Sequence, residues 1–112
     1  MDIHQIDWSL IEWRPVRRGI ERKAFTSEAV TVALHRVWPG HEVLPHAHPN
    51  EQVVYILEGE AEFSIGDRTI PVHGGSLLVV PANVRHCIKV LGAGPVLNLD
   101  IFTPARPQYV SG

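Results

Sequence analysis

A single cysteine, Cys87, stands in this chain of 112 residues. It has no partner for an internal disulfide, so a disulfide scaffold is excluded and a reducing cytoplasm is the expected setting. No apolar run approaches the roughly 20 residues that a helix needs to cross a bilayer. The opening MDIHQIDWSL has neither the basic region nor the apolar stretch of a signal peptide, and none is expected. Net charge is only −2 with neutral histidines. That balance offers no basic surface for nucleic acid and none for an anionic membrane. Helical periodicity is also scarce. Only Ile6–Trp13, with Ile6, Leu10 and Trp13 on one side, predicts a short helix. There is no internal repeat and no low-complexity segment.

What is present reads as one all-β domain. Apolar residues make up 45% and charged residues 20%, a globular composition. Glycine and proline fall between short runs rich in Val, Ile and Leu. These runs predict strands near Val30–Val37, Val53–Leu57, Ala61–Ile65, Thr69–Val72, Leu77–Val80, Val84–Val90 and Val96–Phe102. Glu58-Gly59-Glu60, Gly66-Asp67 and His73-Gly74-Gly75 supply the tight turns. Strands this short and regularly spaced suggest a sandwich or a jelly-roll barrel.

Histidine is abundant: His4, His35, His41, His46, His48, His73 and His86. Side chains two apart on a strand share a face, so His46 and His48 point together and can grip one divalent ion. His86, after the turn at Pro81-Ala-Asn, is the best candidate to complete the site from a neighbouring strand. Close behind the pair stand Glu51 and Gln52, and either is a potential further ligand. His41 has the opposite parity to His46 and is expected at a rim. His4, His35 and His73 have no partner spacing and are expected in solvent.

These residues and spacings resemble the cupin family. Its first motif, G-x5-H-x-H-x3/4-E-x6-G, is met by Gly40, His46, His48 and Gly59, with Gln52 in the glutamate position. Its second, G-x5-P-x-G-x2-H-x3-N, is met by Gly75, Pro81 and His86. Asn83 takes the place of the glycine and is the next-best residue for positive φ. Val90 takes the place of the last asparagine. The resemblance implies a cupin jelly-roll β-barrel over residues 1–112, its core about 28–104, with a metal inside the barrel mouth. It also implies that Gln52, not Glu51, completes a His46, His48, Gln52, His86 ligand set. Strand alternation agrees, since Gln52, Val54 and Ile56 share a face that excludes Glu51. Imidazole and amide oxygen suit one divalent ion of Ni, Zn, Fe, Mn or Co. Glutamine is neutral, so the ion would keep its full charge as a Lewis acid.

The tail VLNLDIFTPARPQYV carries a second pattern. Alternation puts Leu97, Leu99 and Ile101 on one face, for a core or an interface. Val96, Asn98, Asp100 and Phe102 take the other, and an acid facing a cavity needs work or a partner. Arg106 is one possible ion-pair partner for Asp100. The spacing Asp100-x-Phe102-x3-Arg106 resembles that of KdgF-type cupins, which open the ring of 4,5-unsaturated uronic acids from pectin and alginate. So do Gly19–Phe25 and EQVVYILEGE. This resemblance implies Asp100 as catalytic acid-base residue, with Arg106 and Phe102 binding a small uronate substrate. It also implies a homodimer, as in other small cupins. A cupin dioxygenase and a non-catalytic sugar- or metal-binding module are the alternatives. Gln52 counts against the first, and an inward Asp100 against the second.

Overall fold

A computed structural model describes residues 5–110 of the chain. It holds nine strands: β1 (Arg14–Arg17), β2 (Ile20–Thr26), β3 (Thr31–Val37), β4 (Glu51–Glu58), β5 (Glu60–Ile65), β6 (Arg68–His73), β7 (Leu77–Val80), β8 (His86–Val90) and β9 (Val96–Thr103). They form a six-stranded sheet, ordered β1-β2-β3-β9-β4-β7, and a three-stranded sheet, ordered β6-β5-β8. All the pairings are antiparallel. The two sheets enclose one interior, as a jelly roll does. Among the described residues, no helix is long and apolar enough to cross a membrane.

The interior has an apolar half and a polar half. Val54, Ile56, Ala61, Phe63, Val72, Val80 and Val96 fill the first. His48, Gln52, His86, Asn98 and Asp100 are buried in the second. Period-two alternation decides which side chains enter. In β4, Gln52, Val54 and Ile56 are buried while Glu51 and Tyr55 are exposed. In β9, Val96, Asn98, Asp100 and Phe102 point inward. The apolar row Leu97, Leu99 and Ile101 therefore lies on the outer face, half-buried, and not in the core.

Two turns fix the frame. Gly59 has φ +95, and a Cβ there would sit 2.6 Å from the carbonyl oxygen of Pro95. Only glycine meets both demands. Asn83 has φ 65, the conformation expected of the residue replacing the motif glycine.

The seven expected strands are present, most of them with ends shifted by one or two residues. β1 and β2 were not expected, because β2 presents Ile20, Arg22 and Ala24 inward and so lacks an apolar alternation. The expected helix over Ile6–Trp13 is replaced by one 3-10 turn, Trp8–Leu10, capped by Asp7. Tertiary contacts account for this. The Lys23 ammonium donates to the carbonyl of Trp8, and it and the Arg36 guanidinium lie over the Trp13 ring at 4.8 and 4.3 Å. His41 is not a rim residue either. It is buried, its Nε2 accepts from the Val90 N–H at 3.2 Å, and burial lowers its pKa. His73 is exposed, as expected. His4 lies outside the described residues.

Candidate metal centre

Backbone hydrogen bonds bring the distant histidines together. His46 and His86 exchange both backbone bonds, at 3.1 and 2.9 Å, in an isolated antiparallel bridge between the loop before β4 and the start of β8. The Asn83 turn donates its N–H to the carbonyl of His48 at 2.7 Å. The Asn50 amide then ties this loop to the carbonyl of Pro104. The ring centroids of His46, His48 and His86 stand 4.5–5.7 Å apart. One ligand atom from each lies within 4.8 Å of the others, so the three can hold a metal ion.

The tautomers follow from the partners. Each Nδ1 faces a backbone carbonyl: Leu44 for His46 at 3.1 Å, Asn50 for His48 at 3.0 Å, Val84 for His86 at 2.8 Å. A carbonyl only accepts, so each Nδ1 carries the proton and each Nε2 presents a lone pair. Burial lowers the pKa of His48, with the Arg106 charge adding to it, and burial also lowers that of His86. Both are then neutral at pH 7, the form a metal requires. The Nε2 of His86 is buried with no hydrogen-bond partner. The Nε2 of His48 sits 3.1 Å from Oε1 of Gln52, acceptor against acceptor. A cation satisfies all of these lone pairs at once, so the donor set fits a divalent ion.

Gln52 and Asp100 are linked behind the histidines. The Gln52 Nε2 donates to Asp100 Oδ1 at 2.9 Å. A carboxylate accepts only, which fixes the amide with Oε1 toward His48. Asp100 Oδ2 accepts from His35 Nδ1 at 2.6 Å and from Asn98 Nδ2 at 2.7 Å. The expectation of a solvated His35 is therefore corrected: it is buried and bonded to Asp100. Register explains the meeting. His35 and Asn98 are direct partners across β3 and β9, and Ala33 is paired with Asp100. Asn98 spends its NH2 on Asp100, and its Oδ1 is buried without a partner. That oxygen can accept from a ligand hydroxyl.

Beside this network lies a cavity of about 180 Å3, walled by Arg22, His35, His46, Gln52, Asn98 and Asp100 among others. Phe102 and Tyr109 close one side. Arg106 forms no ion pair with Asp100. Its Nη1 donates to the Tyr109 hydroxyl at 2.7 Å, its guanidinium lies 5.2 Å from the Phe102 ring, and its Nε is buried without a partner. Arg22 also stacks on Tyr109, its guanidinium carbon 3.5 Å from the ring centroid. His35, Arg22 and Tyr109 were not expected in the site, and Asn98, expected on the inward face with Asp100, carried no expected role there. The one available signal was Asn98, which shares the inward face with Asp100.

Comparison with known proteins places this geometry. The family model described as the cupin domain matches residues 33–102. A curated relative, "Polyketide synthase CurC" of Streptomyces cyaneus, is 32% identical over 84 residues, 74% of this chain and 53% of that protein. The chain thus spans about half the length of that relative. An RmlC-like cupin from Shewanella frigidimarina superposes with TM-score 0.87 at 23% identity, over 96% of both chains. KdgF from Halomonas sp. superposes with TM-score 0.79 at 24% identity, over 87% of this chain and 91% of its own. The two structural likenesses establish the fold.

Proposed function

Since this chain belongs to the cupin family, we propose that it is a metal-dependent enzyme opening the ring of 4,5-unsaturated uronic acids to linear keto-deoxyuronates. The reading rests above all on Asp100, an acid on the wall of the cavity beside the histidines, hydrogen-bonded to Gln52. The spacing Asp100-x-Phe102-x3-Arg106 supports the choice of substrate.

His46, His48, Gln52 and His86 would hold one divalent ion of Ni, Zn, Fe, Mn or Co. When bound, it supplies Lewis acidity toward a carboxylate or hydroxyl oxygen. The rest falls to the chain. A carboxylate offers about four lone-pair sites, and three on Asp100 are used by Gln52, His35 and Asn98. The fourth, on Oδ1, takes the proton of the hemiacetal hydroxyl. The bond between the anomeric carbon and the ring oxygen breaks, leaving an aldehyde and an enolate, and the enolate takes a proton at C4. One proton moves and nothing is oxidised. Arg106 binds the substrate carboxylate, Phe102 provides an apolar wall, and the unpartnered Asn98 Oδ1 accepts from a sugar hydroxyl.

The test is direct. Metal-loaded protein incubated with unsaturated galacturonate should remove the ultraviolet absorbance of the conjugated acid faster than buffer does. No acceleration over that background would sink the ring-opening reading, and uptake of dioxygen during the assay would point to an oxygenase.

A second copy of the chain is the proposed partner. The outer face of the large sheet exposes Leu77 at 66% and Val79 at 54%, beside Tyr55 and Leu57. Half-buried Leu97, Leu99 and Ile101 continue this face. An apolar patch of this kind on a small protein calls for cover, and a two-fold dimer covers one patch with its own copy. Sedimentation should show a dimer that Leu77→Glu shifts to monomer. A monomer at every concentration up to tens of micromolar would exclude it.

A further inference from the structure

We infer that Arg22 and His35 are positioning residues of the metal centre: acting through Asp100, they hold the Gln52 amide with its carbonyl oxygen toward the three imidazoles. The inference rests on the reading of Gln52 as a ligand.

A side-chain amide has two ends of nearly equal size, and packing alone hardly distinguishes them. Only one end can serve a cation. With the NH2 turned toward the imidazoles, Gln52 would present donors where a ligand atom is needed. Something must therefore choose the end, and a connected chain of hydrogen bonds does so. Arg22 Nε donates to His35 Nε2 at 3.0 Å. Arginine is always a donor, so His35 Nε2 must be its acceptor and the ring proton must sit on Nδ1. That proton goes to Asp100 Oδ2 at 2.6 Å. Asn98 adds a second donor to the same oxygen. Asp100 is thereby held with Oδ1 toward Gln52, where it accepts from Nε2 at 2.9 Å. Gln52 Oε1 is left 3.1 Å from His48 Nε2.

Sheet register builds this chain. Arg22, His35 and Asn98 occupy one row across β2, β3 and β9. Asp100 lies two residues further along β9, and Gln52 enters from β4 on the other side of it. Arg22 is further braced by its stack on Tyr109. A His35 ring with its proton on Nε2 instead would meet Arg22 donor to donor and set a lone pair against a carboxylate. Each link thus excludes the alternative at the next.

The test reads the metal, not turnover. Zinc affinity by calorimetry and the visible spectrum of the cobalt-substituted protein are compared for His35→Leu, His35→Asn, Arg22→Met and Gln52→Ala. Loss of a group that orients a ligand weakens metal binding by about 10–100-fold. His35→Leu should fall in that range and change the cobalt spectrum in the same direction as Gln52→Ala. His35→Asn puts an amide donor where Nδ1 stood and should restore both. Parent-like affinity and spectrum in His35→Leu, with Gln52→Ala impaired, overturns the inference. Equal loss in His35→Leu and His35→Asn also overturns it, because a donor to Asp100 would then be irrelevant. If Gln52→Ala itself binds zinc like the parent, the ligand reading has failed instead. Should His35→Leu not fold, Arg22→Met carries the test, since it leaves the imidazole in place and removes the donor that fixes its tautomer, together with the stack on Tyr109. Weakened zinc binding supports the chain, and parent-like binding removes Arg22 from it.

Discussion

Asp100→Ala is expected to slow ring opening by about 10²–10⁴-fold at saturating metal, the range for loss of a positioned acid-base group. The condition of saturating metal matters. Asp100 does two things on the geometry described: it offers its last lone pair to the cavity, and it holds the Gln52 NH2. Removing it should therefore also weaken metal binding. Measuring kcat across a metal titration separates the two effects. A kcat that returns to within a few-fold of the parent once metal saturates would assign Asp100 to positioning alone. The same substitution strands the donors of His35, Gln52 and Asn98 in a buried site. Each stranded donor costs about 1–3 kcal/mol, so the melting temperature should fall, and activity must be compared below the lower melting point.

His86→Ala is expected to loosen metal binding by more than the 10–100-fold typical of groups that only orient a ligand. It should abolish turnover at micromolar metal. His86 is 3% exposed, its Nε2 lacks a partner, and its ring stacks at 6.3 Å on Phe63. Its backbone bridge to His46 does not depend on the side chain, so the alanine variant should fold and show the loss cleanly. Glu51→Ala makes the contrast. Glu51 is exposed on the outer side of β4, and its loss should leave metal content unchanged. Metal that falls with Glu51→Ala but survives Gln52→Ala would reverse the ligand assignment.

Much of this was legible in the chain before any fold was known. Period-two alternation turned Gln52 inward and Glu51 outward on β4, while the grouping of Gln52 with His46 and His48, which lie in the loop before β4, came from the motif resemblance. The same alternation turned Asn98, Asp100 and Phe102 toward the interior. Asn83 marked a positive-φ turn because asparagine tolerates that conformation best after glycine. The sequence could not place His35. Nothing local distinguishes it, and its partner Asp100 lies 65 residues away.

Only the tertiary structure decided that Arg22, His35 and Asn98 form one polar row, that Arg106 bonds Tyr109 and not Asp100, and that the 6–13 segment yields its helix to contacts with Lys23 and Arg36. The physical reason is the same in each case. The sequence sets which face of its own strand a side chain occupies. Which strands become neighbours, and in what register, is settled by the closing of the whole barrel.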